Sequence, residues 1–294
     1  MLGQRTGVYL IANPTAGQGR AKRIAVAAYE EFSCRGYPAE LQFTAQLGHG
    51  IDIAHRAYQD GYRLVVAVGG DGTIAEVANG IAGTGTIMGV IPGGTANDFV
   101  KETGLPLNLR SAVDVIIRGK TRRIDLGKTD TGRYFLNVAG IGFDAAVIEN
   151  LDLRLKYWLK DTAYVVAAIK TLMFYKPPLL KIKADGNQYE GSFAVIGNTR
   201  YYGGIFKVTP KAATDDGYLD LCIFSKTQKA SLYKYLAGAI GQFHLRFRDV
   251  SYLQVKKIEV KSAETIPVQA DGDIIGVTPI EFEVAPGVLE VIVP

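Results

Sequence analysis

The chain has 294 residues, of which 48% are hydrophobic and 21% charged, with a formal net charge of +4. That length suits two lobes better than one small domain, and the composition is that of a globular protein with a full core. The mild positive charge fits a surface that meets phosphates or anionic headgroups. Without a long basic run interleaved with aromatics, it excludes nucleic-acid binding as the main role.

The apolar run before Asn13 and Pro14 is too short for the core of a signal peptide. The most apolar internal stretch, Tyr164 to Ile169, is bounded by Asp161 and Lys170 and cannot span a bilayer. Cys34 and Cys222 share no metal-binding spacing, so two free thiols in a reducing compartment are expected.

The first half alternates apolar strands with amphipathic helices. Val8 to Ala12 reads as a buried strand that runs into the turn NPTAGQG. A helix starts near Arg20, because Ala21, Ala25, Ala28 and Phe32 fall on one face. Leu41 to Phe43 is a second strand, Ile51 to Tyr58 a helix, Leu64 to Val68 a third strand, Thr73 to Ile81 a helix and Ile87 to Ile91 a fourth strand. Apolar strands alternating with helices predict a parallel sheet covered by helices. Arg118, Lys120, Arg122 and Arg123 read as a solvated helix end and loop.

After Asp125 the pattern changes. Short strands recur at Tyr134–Val138, Leu180–Ala184, Phe193–Ile196, Leu219–Phe224, Leu253–Val260, Pro267–Ala270, Ile280–Val284 and Leu289–Val293. They predict an antiparallel β-sandwich, interrupted by helices near 150–175 and 228–243. The fold class is therefore α/β plus β, with an α/β domain over 1–125 and a β-sandwich domain over 126–294. In such a two-lobed enzyme the site is expected between the lobes.

Glycines cluster at the carboxyl ends of the parallel strands. In LVVAVGGDGTIAEVANGI, a strand ends at Val68 and Gly69, Gly70, Asp71, Gly72 and Thr73 turn into a helix. Backbone N–H groups freed by glycine, with the positive end of the helix, suit an anion. Thr73 suits a helix cap or a phosphate contact, and Asp71 suits Mg²⁺ or a ribose. The turn is neither a Walker loop nor GxGxxG. In VIPGGTANDF a second strand end carries Gly93, Gly94, Thr95, Asn97 and Asp98, where Asn97 or Asp98 also suits a plain helix cap. Asn13, Pro14, Thr15, Gly17 and Gly19 form a third. Three such turns along one sheet edge describe a nucleotide phosphate cleft.

These motifs resemble the diacylglycerol kinase catalytic-domain superfamily, which includes bacterial lipid kinases, sphingosine kinases and ceramide kinases. The matching stretches are NPTAGQG, VGGDGTIAEVANG, PGGTANDF, RRIDLG, NVAGIGFDA, DDGYLDL and QADGD, in the family's order over nearly the whole chain. GGDGT alone is shared with NAD kinases and phosphofructokinases; followed by GTANDF it is specific to lipid kinases. The resemblance implies ATP bound through Gly69 to Thr73, then Ile74 and Ala75, with Asn13, Thr44, Thr95 and Asn97 adding contacts. It matches Asp98 and Asp125 to acidic positions of an Asp–water–metal network near the site. The family's general base lies in a late DGE motif, here Asp271-Gly272-Asp273, which implies Asp271 as base with Asp273 as the alternative. It also implies a structural Mg²⁺ held by Asp216 and the backbone oxygens of Ala213 and Tyr218. A plain Asp-Gly turn is the simpler reading of that loop.

The expected activity is ATP-dependent phosphorylation of a membrane-lipid hydroxyl, with diacylglycerol as the leading acceptor. A sphingoid base or another lipid alcohol, NAD, or a weakly catalytic regulator are the alternatives. The expected location is cytoplasmic and peripheral at the inner face of the membrane, with a homodimer as one form of assembly. The stretch 153–178, with Tyr157, Trp158, Tyr164, Leu172, Met173 and Phe174 among basic residues, suits either a headgroup-boundary helix or an ordinary core helix. His49, His55 and His244 read as surface or packing histidines, and Cys222 as core.

Overall fold

The computed structural model describes residues 5–149, 167, 170, 171, 175–204 and 206–294. The stretch 153–178 of the sequence analysis therefore lies mostly outside the described residues. Two units emerge: 1–124 with 287–294, and 125–286.

The first unit is an α/β layer. Strands β1 (Arg5–Ala12), β2 (Ala39–Phe43), β3 (Tyr62–Gly69) and β4 (Ile87–Pro92) run parallel in the order β2-β1-β3-β4. Leu10, Ile11 and Val65 to Val68 are fully buried, as expected for strands with helices on both faces. Helix α1 (Arg20–Cys34) buries the stripe Ala21, Ala25, Ala28 and Phe32. Burial of Phe32 contributes about 1.5–3 kcal/mol. Helices α2 (His49–Gln59) and α3 (Asp71–Ile81) follow their strands as the periodicity required.

Two short helices come in addition, α4 (Asp98–Thr103) and α5 (Leu109–Arg118). Asn108 caps α5 by accepting the Ser111 amide at 2.9 Å, and Gly119 closes it at φ 67°. The basic segment that follows is not a loop. Thr121–Thr129 is β5, with Ile124 to Leu126 buried.

The second unit contains two antiparallel sheets. One has the order β12-β11-β10-β7-β14-β15, from Val250–Val255, Leu219–Phe224, Phe193–Gly197, Val138–Ile141, Pro267–Ala270 and Asp273–Val277. The other contains β13 (Lys257–Ser262), β8 (Leu180–Ala184) and β9 (Asn187–Gly191), with β13 also pairing with the start of β16 (Ile280–Ile292). Leu180, Ile182, Ile196, Leu219, Leu221, Ile258 and Phe282 form one core. Val195, Cys222, Phe224, Leu232 and Tyr235 form a second on the other side of β11. That two-sided cover explains why every residue of LDLCIF is buried. Among the described residues, helices α6 (Phe143–Glu149) and α7 (Lys229–Ile240) also belong to this unit.

Four expected strands are redistributed. Leu253–Val260 is two strands in different sheets, because the Asp185 carboxylate takes the Lys256 and Lys257 amides at 3.0 and 2.8 Å. Tyr134–Val138 divides into β6 (Tyr134–Phe135) and β7. Ile280–Val284 and Leu289–Val293 join across Pro286 and Gly287 as β16, whose Glu290 and Val291 lie parallel to Ile87 and Met88 of β4. The last strand is thus not an antiparallel sandwich strand at its end. Among the described residues, no helix is long and apolar enough to cross a membrane.

Candidate active site

The three glycine turns of the first unit pack on one another. The Gly93 amide donates to the Gly69 carbonyl at 2.7 Å, where β4 ends beside β3. A Cβ at Gly94 would collide with the Cα of Gly70, and one at Gly17 with the Gly93 carbonyl. Gly17 is also left-handed, at φ 58°. Only glycine lets these backbones approach so closely. By contrast, nothing lies within 4 Å of the Cβ positions of Gly19 and Gly72, so the turns are open there.

Within the first turn, Asn13 Oδ1 accepts the Thr15 amide at 3.0 Å and its hydroxyl at 2.8 Å. Thr44 is buried beside it, donating its amide to Ala12 at 2.9 Å. In the second turn Gly70, not Thr73, sits at the helix cap position. Thr73 is buried against Gly69, and Ile74 and Ala75 are buried in α3. Asp71 Oδ1 accepts the Phe99 amide at 3.1 Å, tying the second turn to α4. Burial pushes its carboxyl above the usual range, against the pull of the backbone amides of Phe99, Asp71 and Asp98.

In the third turn Asn97 is left-handed at φ 51° and stands at the cap position of α4 without a side-chain cap bond. Its Nδ2 donates to the Gly94 carbonyl at 3.3 Å, while its buried Oδ1 has no hydrogen-bond partner among the described residues. Asp98 is buried, with Lys101 Nζ at 3.9 Å, and Thr95 is exposed.

Two residues here escaped the sequence reading. Arg20 bridges turns, with Nε on the Gly17 carbonyl at 3.0 Å and Nη2 on the Gly94 carbonyl at 3.4 Å. Its position directly after NPTAGQG was the available signal. Glu76 accepts the Gly48 and Gly50 amides at 2.9 and 2.8 Å, fixing the start of α2 against α3.

In the second unit, Asp271 and Gly272 form the two-residue turn between β14 and β15, at φ 50° and 88°. Asp-Gly is favoured where both residues need positive φ. The Asp271 carboxylate accepts the amides of Leu136 (2.7 Å), Asn137 (2.8 Å) and Val138 (3.2 Å). That triple bond pattern sits where β6 gives way to β7. Asp273 is half-buried in an ion pair with Arg133 at 2.9 Å. Behind the turn, Gln269 accepts the Gly272 amide at 3.0 Å and donates to Asp144 Oδ2 at 2.7 Å. Tyr202 donates to the other Asp144 oxygen at 2.6 Å. Burial raises the Asp144 carboxyl to about 6. Neither Asp144 nor Gln269 was singled out from sequence, although both lie inside matched motifs.

The DDGYLDL loop is anchored by Asp125, whose Oδ2 accepts the Gly217 amide and whose own amide donates to the Thr214 carbonyl, each at 2.6 Å. Asp216 accepts the Tyr218 amide and the Gln254 side chain, each at 3.0 Å. Asp220, in β11, is buried. Burial raises its carboxyl to about 6, and the nearby Asp216 charge adds to the rise. Among the described residues no group of three or more His, Cys, Asp or Glu side chains is placed to hold a metal ion. The histidines behave as expected: His244 is buried with Nε2 at 2.9 Å from the Val208 carbonyl, and His49 accepts the Ala45 amide.

Comparison with known proteins identifies the family. Residues 7–129 match the diacylglycerol kinase catalytic domain, and residues 137–293 match the YegS C-terminal NAD kinase beta sandwich-like domain. A diacylglycerol kinase of Bacillus subtilis is 31% identical over 278 residues, spanning 93% of this chain and 91% of that protein. One from Staphylococcus epidermidis is 34% identical over 277 residues, spanning 93% and 87%. A crystal structure of a putative diacylglycerol kinase from Bacillus anthracis superposes with a TM-score of 0.82 at 28% identity, covering 99% of this chain and 96% of that one. With its packed glycine turns and its match across both domains, the chain belongs to the diacylglycerol kinase catalytic-domain family.

Proposed function

We propose that the protein is an ATP-dependent lipid kinase that transfers the γ-phosphate to the hydroxyl of diacylglycerol, giving phosphatidic acid. The observation that carries this reading is the packing of the Gly17, Gly69–Gly70 and Gly93–Gly94 backbones at one sheet edge. Open backbone at Gly19 and Gly72 and the Arg20 guanidinium fit the triphosphate, while the unpartnered Asn97 Oδ1 fits a donor such as a nucleotide hydroxyl or amine. Asn13, Thr44, Gly69–Ala75, Thr95 and Asn97 are the proposed nucleotide residues.

Phosphoryl transfer needs the donor and acceptor in line, neutralised charge, and an acceptor for the hydroxyl proton. Mg²⁺, when bound with ATP, would supply charge neutralisation; Asp71 and Asp98 are the carboxylates proposed to orient it. Asp271 is proposed to take the hydroxyl proton, with Asp273 as the alternative. Ala213, Asp216 and Tyr218 are proposed to hold a second, structural Mg²⁺ that stiffens the loop next to Asp125. Three amide donors on Asp271 preset its orientation. The test is ATP consumption against diacylglycerol, a sphingoid base and NAD. Turnover with diacylglycerol supports the reading; turnover with NAD alone overturns it.

A further inference from the structure

Helix α7 and the segment after it form an exposed apolar stripe, and the one acidic residue bonded to the helix among the described residues, Asp249, is engaged with Lys234 and Tyr235. Ala230, Tyr233, Ala237 and Ile240 recur at helical spacing on the solvent side, and Phe243 continues the line. Tyr233 is 51% exposed, Ile240 47% and Phe243 39%. The opposite side of the helix is also apolar: Leu232, Tyr235, Leu236 and Ala239 line a cavity of about 80 Å³ with Phe143, Phe193 and others. A helix that is apolar on both sides is normally buried. This one leaves Tyr233 and Ile240 exposed.

The charges around the stripe say what covers it. From residue 226 to 248 the sequence holds Lys226, Lys229, Lys234, Arg246 and Arg248, and no Asp or Glu. Lys226, Lys229, Arg246 and Arg248 are exposed, while Lys234 is engaged with Asp249 at 2.6 Å. A second copy of the chain would bring the same positive charge against itself. An anionic bilayer offers acyl boundary to the aromatics and negative headgroups to the cations.

We propose that the face Tyr233–Ile240–Phe243, flanked by Lys226, Lys229, Arg246 and Arg248, is the surface by which the protein docks on anionic phospholipid bilayers. The proposal rests on the lipid-kinase reading, since a kinase acting on a bilayer lipid must reach its substrate at the interface.

The test is co-sedimentation of the full chain with vesicles of phosphatidylglycerol and phosphatidylcholine in equal parts, compared with phosphatidylcholine alone. The triple variant Y233S/I240S/F243S is expected to bind the anionic vesicles at least about tenfold more weakly. The double variant K226Q/R248Q is expected to lose about tenfold on anionic vesicles and nothing on neutral ones, an effect that high salt reproduces in the wild type. Both variants, with unchanged circular dichroism, are expected to phosphorylate dissolved short-chain diacylglycerol at the wild-type rate. Wild-type vesicle binding by the folded triple variant overturns the proposal. A shift from dimer to monomer in that variant, with vesicle binding unchanged, also overturns it and gives the face to a second copy. If the wild type binds vesicles through this face but phosphorylates no lipid in either form, the docking surface stands and the kinase reading fails.

Discussion

Gln269 donates its side-chain amide to Asp144 Oδ2 at 2.7 Å while its carbonyl holds the Gly272 amide at 3.0 Å. A buried carboxyl is thereby linked to the turn that carries Asp271. The glutamine faces one way to a titrating group and the other way to the proposed base.

That link gives a pH dependence with a definite sign. In the folded chain the Asp144 carboxyl titrates near 6, because burial disfavours its charge; unfolded, it returns to 3.8. Between those values the folded state binds more protons, so stability falls as pH rises from about 4 to 6. Below that window the penalty is absent, and above it the penalty is complete. Two pKa units correspond to about 3 kcal/mol at most. Denaturant titrations across this window are expected to show a smaller decline in Asp144→Asn. An unchanged decline in the variant would assign the effect to other carboxyls, Asp220 first.

Gly94→Ala tests the packing of the turns. Its Cβ would be driven into Gly70, so the two strand ends must separate. The expected cost is about 1–3 kcal/mol in stability, with a larger loss in ATP affinity. Calorimetry of the apo protein and of ATP binding measures the two. Gly72→Ala, where space is open, is expected to leave stability within about 1 kcal/mol, as replacing a glycine with alanine within a helix does not weaken it.

Asp71→Ala removes the acceptor of the Phe99 amide and is expected to cost about 1–3 kcal/mol. Asp71→Asn keeps an acceptor oxygen and is expected to recover most of that stability. If Asp71 also orients Mg²⁺, the asparagine variant stays folded yet loses phosphoryl transfer. Thermal denaturation and ATP turnover on the same two variants separate the roles.

Much of the first unit was legible because its signals are local. The buried stripe of α1 and the glycines after each strand are each read within a few residues. What brings the turns together, Gly93 on Gly69 and Gly17 on Gly93, follows once the strands are adjacent and parallel. The second unit was legible strand by strand but not in its joins. Asp185, about 70 residues away, divides β12 from β13, and the Asp271 carboxylate marks the break between β6 and β7. Asp144 and Gln269 were missed for the same reason: a 125-residue separation hides their hydrogen bond from any local pattern. The closing strand returned to β4 across Pro286 and Gly287, residues that read as a stop.

Asp271→Asn probes the proposed base. Asparagine suits the turn, so β14 and β15 stay paired. Its amide nitrogen, however, meets a backbone donor, Leu136 or Asn137, that the carboxylate accepted. Stability is expected to fall by about 1–3 kcal/mol while ATP binding is spared and transfer is lost. Near-full activity would remove Asp271 from the base role and turn attention to Asp273.

The central claim is that the packed glycine turns hold ATP for transfer to a lipid alcohol. The most direct measurement supplies ATP labelled on its γ-phosphate, with Mg²⁺ and diacylglycerol in vesicles, and separates the products. Label is expected in phosphatidic acid with the wild type and to be lost with Gly94→Ala. Label in no lipid product, whether the acceptor is diacylglycerol or a sphingoid base, while ATP binds at the turns, would contradict the account.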